Sequence, residues 1–472
     1  MARIGILSLS DGRDYVHRDV AGFIDNATAH LAGVLRDAGH EVVVAPEIAW
    51  TNQLATSQAR WLADQRPELT IFHYAVWTFP HFTMLAADAT SGPLLLMANI
   101  DPRYPGMVGM LAGGGGLDQL GRVHSRAWGD IGDPATRDRV LVAVRAAGAV
   151  SRLRGSTFGR FGGRPMGMYT AVANTDQWMR TFGVDVEEID QWEIVRRSAT
   201  VEQGKVTAAR EWLERHAAKV HYDGDRLTPE LLERQIRSYY ALRELIDEWN
   251  LDFSGIKGQP ELTANFATMD IAEAFLNDPY DWDGPKPTHV TATESDMDGA
   301  LTMQLLKGLS DTPVLFADVR HYHADRDVWD LCNSGQHATW FAARSADPAE
   351  NLARTHLYPE VFYFPAGGAS VHHLAAPGSF TLARLTRRDG RYRMQVVRAE
   401  FEQYENAVNE AMMRQSTFEW PHAFARLHTD ATDFLARFGA NHIHAVPGEH
   451  VAELRQACDL LGIDYDGFGD AA

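Results

Sequence analysis

The stretch Thr288–Tyr322, THVTATESDMDGALTMQLLKGLSDTPVLFADVRHY, constrains this chain more than any other. Thr288–Thr293 is short, β-branched and preceded by Pro287, which predicts a buried strand ending at Glu294. Ser295 or Asp296 then caps a helix with Ala300, Leu301, Leu305, Leu306 and Leu309 on its apolar face, and Pro313 precedes a second strand, Val314–Ala317, ending at Asp318. With both strands in one parallel sheet, a right-handed crossover brings Glu294 and Asp318 to the C-terminal edge, where open α/β sheets bind ligands. Two carboxylates at close range raise each other's pKa, and a cation between them keeps both ionised. The structural alternative is that one acid caps the helix and the other pairs with Arg320.

The segments ATESDMDGALTMQ and VLFADVRHY together resemble the metal-binding core of the L-fucose isomerases, in which a Glu and an Asp bind a divalent cation. The third ligand in that family is a His within a GANH motif, and this sequence has Gly439-Ala440-Asn441-His442. The resemblance implies Glu294, Asp318 and His442 as metal ligands, with Glu294 and Asp318 also acting as catalytic base and acid. It implies substrate contacts from Arg13 in a DGR segment, Trp77 in HYAVWTFPHF, Arg164 in RFGGRPMGMY, Lys257, Gln259, Ser334 in Asn333-Ser334-Gly335, Tyr363, Trp420 and Asn441. It also implies a homo-hexamer with active sites near subunit interfaces, where Arg13 and Trp77 reach a neighbour's site. The sequence departs from the family pattern at Arg164-Pro165, where a smaller pair is typical, and is shorter between Asp318 and Ser334 and beyond His442. Outside the resemblance, Arg13 reads as part of a surface turn, Trp77 as packing and Lys257 as a counter-charge for nearby acids.

A set of two carboxylates and one imidazole favours Mn²⁺, with Mg²⁺ or Co²⁺ as alternatives, over a closed zinc site. A sugar's O1 and O2 can fill the open positions. The cation then stabilises the cis-enediolate formed when a carbon-bound proton moves between C1 and C2. The expected activity is aldose–ketose isomerisation of a small sugar. Arg13, Arg164 and Lys257 raise a second possibility, a sulfonated or phosphorylated aldohexose, because charge-assisted hydrogen bonds suit an anionic terminus. Two rivals belong to other classes. The pairs His321/His323 and His442/His444, with His372/His373, suggest an HxH metallohydrolase, and multidomain α/β folds also serve as non-catalytic sugar-binding proteins.

The expected fold is α/β: two doubly wound parallel-sheet domains, residues 1–150 and 151–310, followed by a β-rich, barrel-like domain over 311–472. In the first, Ile4–Leu9, Glu41–Val44, Leu69–Tyr74 and Leu94–Ala98 read as strands, alternating with helices over Phe23–Ala38 and near Gln58–Asp64. Gly113–Gly116 lacks a preceding strand and a GxGxxG order, and reads as a flexible turn. A formal net charge of −19 argues against nucleic acid or an anionic membrane as partner. Two cysteines, Cys332 and Cys458, no leader pattern and no membrane-length apolar run predict a soluble cytoplasmic protein.

Overall fold

The computed structural model describes residues 1–334 and 336–469. It divides into two compact units, one formed by Met1–Arg152 with Ala452–Gly462, the other by Leu153–Val451 with the segment from Ile463. Gly335, in the Asn333-Ser334-Gly335 segment, lies outside the described residues.

The first unit is built on a five-stranded parallel sheet in the order Glu41–Val44, Arg3–Ser8, Leu69–Tyr74, Leu94–Ala98, Ser125–Trp128. Its central strands are fully buried, as β-branched and apolar runs covered on both faces must be. Because the sheet is parallel, the segments after adjacent strands share one edge, and Thr78 Oγ1 donates to the Ser10 carbonyl at 2.7 Å, tying the Arg13 and Trp77 loops together. A helix from far along the chain, Val451–Leu461, completes this unit, with Arg145 Nε donating to Glu453 Oε1 at 2.8 Å.

The glycine run is a correction. Gly113–Gly116 lies inside the helix Gly106–Gln119, not in a turn. Helix propensity opposes glycine by about 1 kcal/mol per residue, yet close packing requires it here. A Cβ on Gly113 would stand 2.6 Å from Thr83 Oγ1, and one on Gly116 2.6 Å from Met84 Sδ, whereas Gly115 faces open space.

The second unit contains a four-stranded parallel sheet, ordered Thr291–Thr293, Phe253–Ile256, Thr157–Phe161, Asp185–Ile189. It also contains a β-barrel. Gly378–Arg388, His442–Pro447, Leu315–His323, Val328–Cys332, His422–Leu427 and Arg391–Glu402 pair antiparallel in that order, and the last pairs with the first to close the ring. Asp464–Gly467 adds to Arg391–Glu402 in parallel. Closure removes exposed edges, and the inward side chains, including Leu315, Leu331, Leu382 and Ala423, form one apolar cluster. Parallel sheets followed by a β-rich barrel are the fold class expected from the sequence.

The single parallel βαβ unit is not observed. Thr291–Thr293 belongs to the parallel sheet and Leu315–His323 to the barrel, where it runs antiparallel and continues through Asp318. The helix Met297–Ser310 crosses from one sheet to the other, burying its whole apolar face. The second strand reads LFADVRHYH, apolar and then mixed, a pattern that suits a barrel strand emerging to solvent better than a strand covered on both faces.

Gly113→Val should destabilise the fold by about 1–3 kcal/mol through overpacking, while Gly115→Ala should stabilise it by about 1 kcal/mol through helix propensity. Chemical denaturation of the two variants checks the opposite signs.

Candidate active site

The chain makes its sharpest turn at the end of Thr291–Thr293. Glu294 (φ 55°) and Ser295 (φ 48°) both adopt left-handed backbone, a conformation that costs non-glycine residues and persists only where the surroundings hold it. Here the Ser295 amide donates to the Ile256 carbonyl at 2.8 Å and the Asp296 amide to Thr293 at 3.2 Å. The turn aims Glu294 off the sheet's C-terminal edge. Its neighbour in the sheet, Phe253–Ile256, ends beside it and supplies Gln259, whose Nε2 donates to Glu294 Oε1 at 3.3 Å.

The barrel brings the other two residues. Asp318 and His442 are directly opposed partners on adjacent antiparallel strands. His442 Nε2 lies 3.1 Å from Glu294 Oε2 and 3.5 Å from Asp318 Oδ1. The residues singled out by the sequence therefore converge, although from two sheets. Nε2 is buried and makes no hydrogen bond of good geometry with any described residue, although both carboxylates are close to it. Asn441, also expected here, donates through Nδ2 to Asp318 Oδ1 at 3.2 Å. Among the described residues no three His, Cys, Asp or Glu side chains are already spread around a metal-sized centre; the carboxylates are drawn onto the imidazole.

Asp296 orients the ring, and sequence reading missed this. Its carboxylate caps the Met297–Ser310 helix by accepting the Gly299 amide at 2.9 Å, as expected, and its Oδ2 also sits 2.7 Å from His442 Nδ1. Arg384 closes the set, Nη1 to Oδ2 at 2.5 Å and Nη2 to Oδ1 at 3.1 Å, with both side chains fully buried. Burial opposes charge on Asp296, but the Arg384 guanidinium and the bonded imidazole outweigh it and hold the carboxyl well below the usual range. Burial likewise opposes charge on His442. The hydrogen bond to Asp296 and the negative charge of Asp296 and Glu294 overcome that and push the ring up to about 10. Burial raises the Asp318 carboxyl, against the pull of His442. The signals available beforehand were three acids at alternate positions in ESDMD and an arginine inside the apolar run SFTLARL.

Gly299 makes room for this network. A Cβ there would lie 2.7 Å from both Arg384 Nη1 and Asp296 Oδ2.

The remaining expected contacts are distributed. Ser334 is buried and donates to Asn333 Oδ1 at 3.0 Å, and Gln336 nearby accepts the Thr293 amide at 2.8 Å, which holds this segment against the Glu294 strand. Arg320 bridges the triad to the aromatic residues: it lies 3.9 Å from Asp318 Oδ2, 5.2 Å over the Trp420 ring, and donates to Thr417 Oγ1 at 3.1 Å. With exposed Tyr363 and Phe362 it lines a cavity of ≈ 450 Å³. Trp420 is fixed from behind by Glu360, which accepts its Nε1–H at 3.0 Å and whose carboxyl is raised by burial and by Asp270. Lys257 is paired with Glu261, and Arg164 lies 4.9 Å over the Tyr169 ring. In the first unit Arg13 is held by Asp11 through Nε at 2.9 Å and Nη2 at 2.6 Å, and Trp77 is half-buried. Among the described residues the paired histidines form no metal-sized cluster. His321 and His323 face each other, ring centroids 4.7 Å apart, and His444 Nε2 sits 3.2 Å from Arg384 Nη1.

Three models of one family match this chain: the L-fucose isomerase first N-terminal domain over residues 1–155, the second N-terminal domain over 241–311 and the C-terminal domain over 331–468. The chain belongs to the L-fucose isomerase family. Membership sets the enzyme class, aldose–ketose sugar isomerase, ahead of the hydrolase and binding-protein readings. Relatives named L-fucose isomerase include one from Haemophilus influenzae, 26% identical over 431 residues that cover 76% of this chain and 73% of the relative. One from Klebsiella pneumoniae is 24% identical over 375 residues, 65% of this chain and 63% of the relative. One from Salmonella arizonae is 23% identical over 384 residues, 66% and 64%. The isomerase contains no helix among its described residues long and apolar enough to cross a membrane.

Asp296→Ala should cost about 3–5 kcal/mol, because it leaves Arg384 buried without its counter-charge. Gly299→Ala should cost about 1–3 kcal/mol by wedging Arg384 from Asp296. Urea unfolding measures both, and equal, negligible losses would mean the network holds nothing.

Proposed function

We propose that this protein is a divalent-metal-dependent aldose isomerase of the L-fucose type, with Glu294, Asp318 and His442 as the metal ligands. The observation that carries the reading is His442 Nε2, a buried nitrogen without a hydrogen-bond partner, flanked by two carboxylates and oriented from behind by Asp296. A histidine fixed through its other nitrogen by a carboxylate is the usual support of a metal-binding imidazole. Two carboxylates and one imidazole form a donor set suited to Mn²⁺, with Mg²⁺ or Co²⁺ as substitutes, and modest rotation of the carboxylates away from the ring would open the centre.

When bound, the cation supplies positive charge to vicinal sugar oxygens and lowers the energy of the enediolate. The chain's residues do the rest. Glu294 and Asp318, at 3.1 and 3.5 Å from His442 Nε2, serve as the base and acid pair, one taking the carbon-bound proton and the other moving the hydroxyl proton between O1 and O2. Gln259 and Asn441 each donate to one of these carboxylates and fix which oxygen faces the sugar. Trp420 and Tyr363, beside Arg320, offer apolar faces for the sugar ring and exclude water.

A neutral aldose fits better than an anionic one. Arg13 and Lys257 have carboxylate partners, and Arg164 lies against an aromatic ring, so these three cations are already engaged. L-Fucose and its shorter stereochemical relative D-arabinose are the substrates to try first.

The test is ketose formation from a panel of aldoses with Mn²⁺ present and after chelation, together with exchange of the C2 proton. Turnover should need the metal, and Glu294→Gln and Asp318→Asn should each lower it by about two to four orders of magnitude. Sugar binding without proton exchange would defeat the proposal.

Metal uptake should also depend on pH. In the metal-free fold the His442 ring is held up to about 10, so at neutral pH Mn²⁺ must displace its proton. Apparent affinity should therefore rise with pH across the neutral range. Titration calorimetry in buffers of different ionisation enthalpy should count about one proton released per ion, and His442→Gln should abolish both the uptake and the proton release; unchanged Mn²⁺ affinity in that variant would exclude Nε2 as a ligand.

A further inference from the structure

On a chain of formal net charge −19, one cleft of ≈ 970 Å³ is lined by five arginines, at positions 387, 388, 391, 393 and 437. Three have structural partners. Arg387 pairs with Asp298 at 2.9 Å, and Arg393 and Arg437 grip the two oxygens of Asp466 at 2.9 and 2.8 Å. Arg388 and Arg391 do not: both are exposed, and neither makes an ion pair or side-chain hydrogen bond with any described residue.

These two stand directly opposite one another at the end of the hairpin Gly378–Arg388/Arg391–Glu402. Like charges in facing cross-strand positions repel and destabilise the pairing. The hairpin cannot splay to relieve them. Its two-residue turn, Asp389 (φ 50°) and Gly390 (φ 75°), has the positive dihedrals that match strand twist, and the Gly390 carbonyl accepts Gln177 Nε2 at 2.7 Å. The acids that share the cleft, Asp389, Asp464 and Asp466, are fewer than its arginines.

We propose that this cleft binds a polyphosphate anion, of the size of a nucleotide or a sugar bisphosphate, with Arg388 and Arg391 gripping adjacent phosphates. Guanidinium forks suit phosphate oxygens, two facing forks suit two linked phosphates, and the volume admits a ligand of that size. The proposal is independent of the isomerase reading, since neither arginine touches the triad.

The experiment is calorimetric titration of the full-length protein with inorganic triphosphate at low and high salt, alongside melting and solution mass. Saturable binding that weakens with salt, exceeds that of inorganic phosphate, and falls at least about tenfold in the R388A/R391A double variant supports the site. Melting of the unliganded variant should be unchanged or higher, because the repulsion is gone. The proposal is overturned by absent binding, by equal binding to the double variant, or by a variant that melts lower or changes its oligomeric mass, which would make the arginines structural or an interface between copies.

Discussion

A single buried carboxylate joins the parts of the second unit. Asp296 ends the turn after the parallel sheet, starts the Met297–Ser310 helix, accepts the Arg384 guanidinium from one barrel strand and fixes the His442 imidazole from the next. An ion pair taken out of water recovers its desolvation cost through good geometry and further hydrogen bonds. Here Asp296 uses both oxygens and Arg384 Nη2 also reaches the Thr170 carbonyl at 3.0 Å, while the buried Arg384 Nε has no partner among the described residues. The orientation of the His442 ring thus follows from pairing a buried charge.

That arrangement explains the strain beside it. Glu294 and Ser295 hold left-handed backbone because the strand below and the capped helix above fix both ends of the turn. Relaxing the turn would withdraw the Glu294 carboxylate from His442. Barrel closure sets the other side, since the register pairing Asp318 with His442 cannot slip without moving every inward side chain to the wrong face.

The site's electrostatics are a balance of opposed carboxylates around one imidazole. Burial raises Asp318, Arg384 lowers Asp296, and the ring between them holds a proton strongly when no other cation is near.

Much of this was legible in the residues alone. Strands such as Leu69–Tyr74 and Leu94–Ala98 declare themselves as short apolar runs between turn residues, and the candidate ligands Glu294, Asp318 and His442 are recognisable by motif. The fold decided what local patterns cannot carry. Periodicity says that Leu315–His323 is a strand but not which partners its amides will find: one is the next strand, Val328–Cys332, and the other, His442–Pro447, lies more than a hundred residues away. The glycines at 113–116 look like a turn until Thr83 and Met84 are packed against them. Asp296 looks like a helix cap, and is one; that the same carboxylate also orients His442 is a long-range contact, made only once two sheets have closed over it.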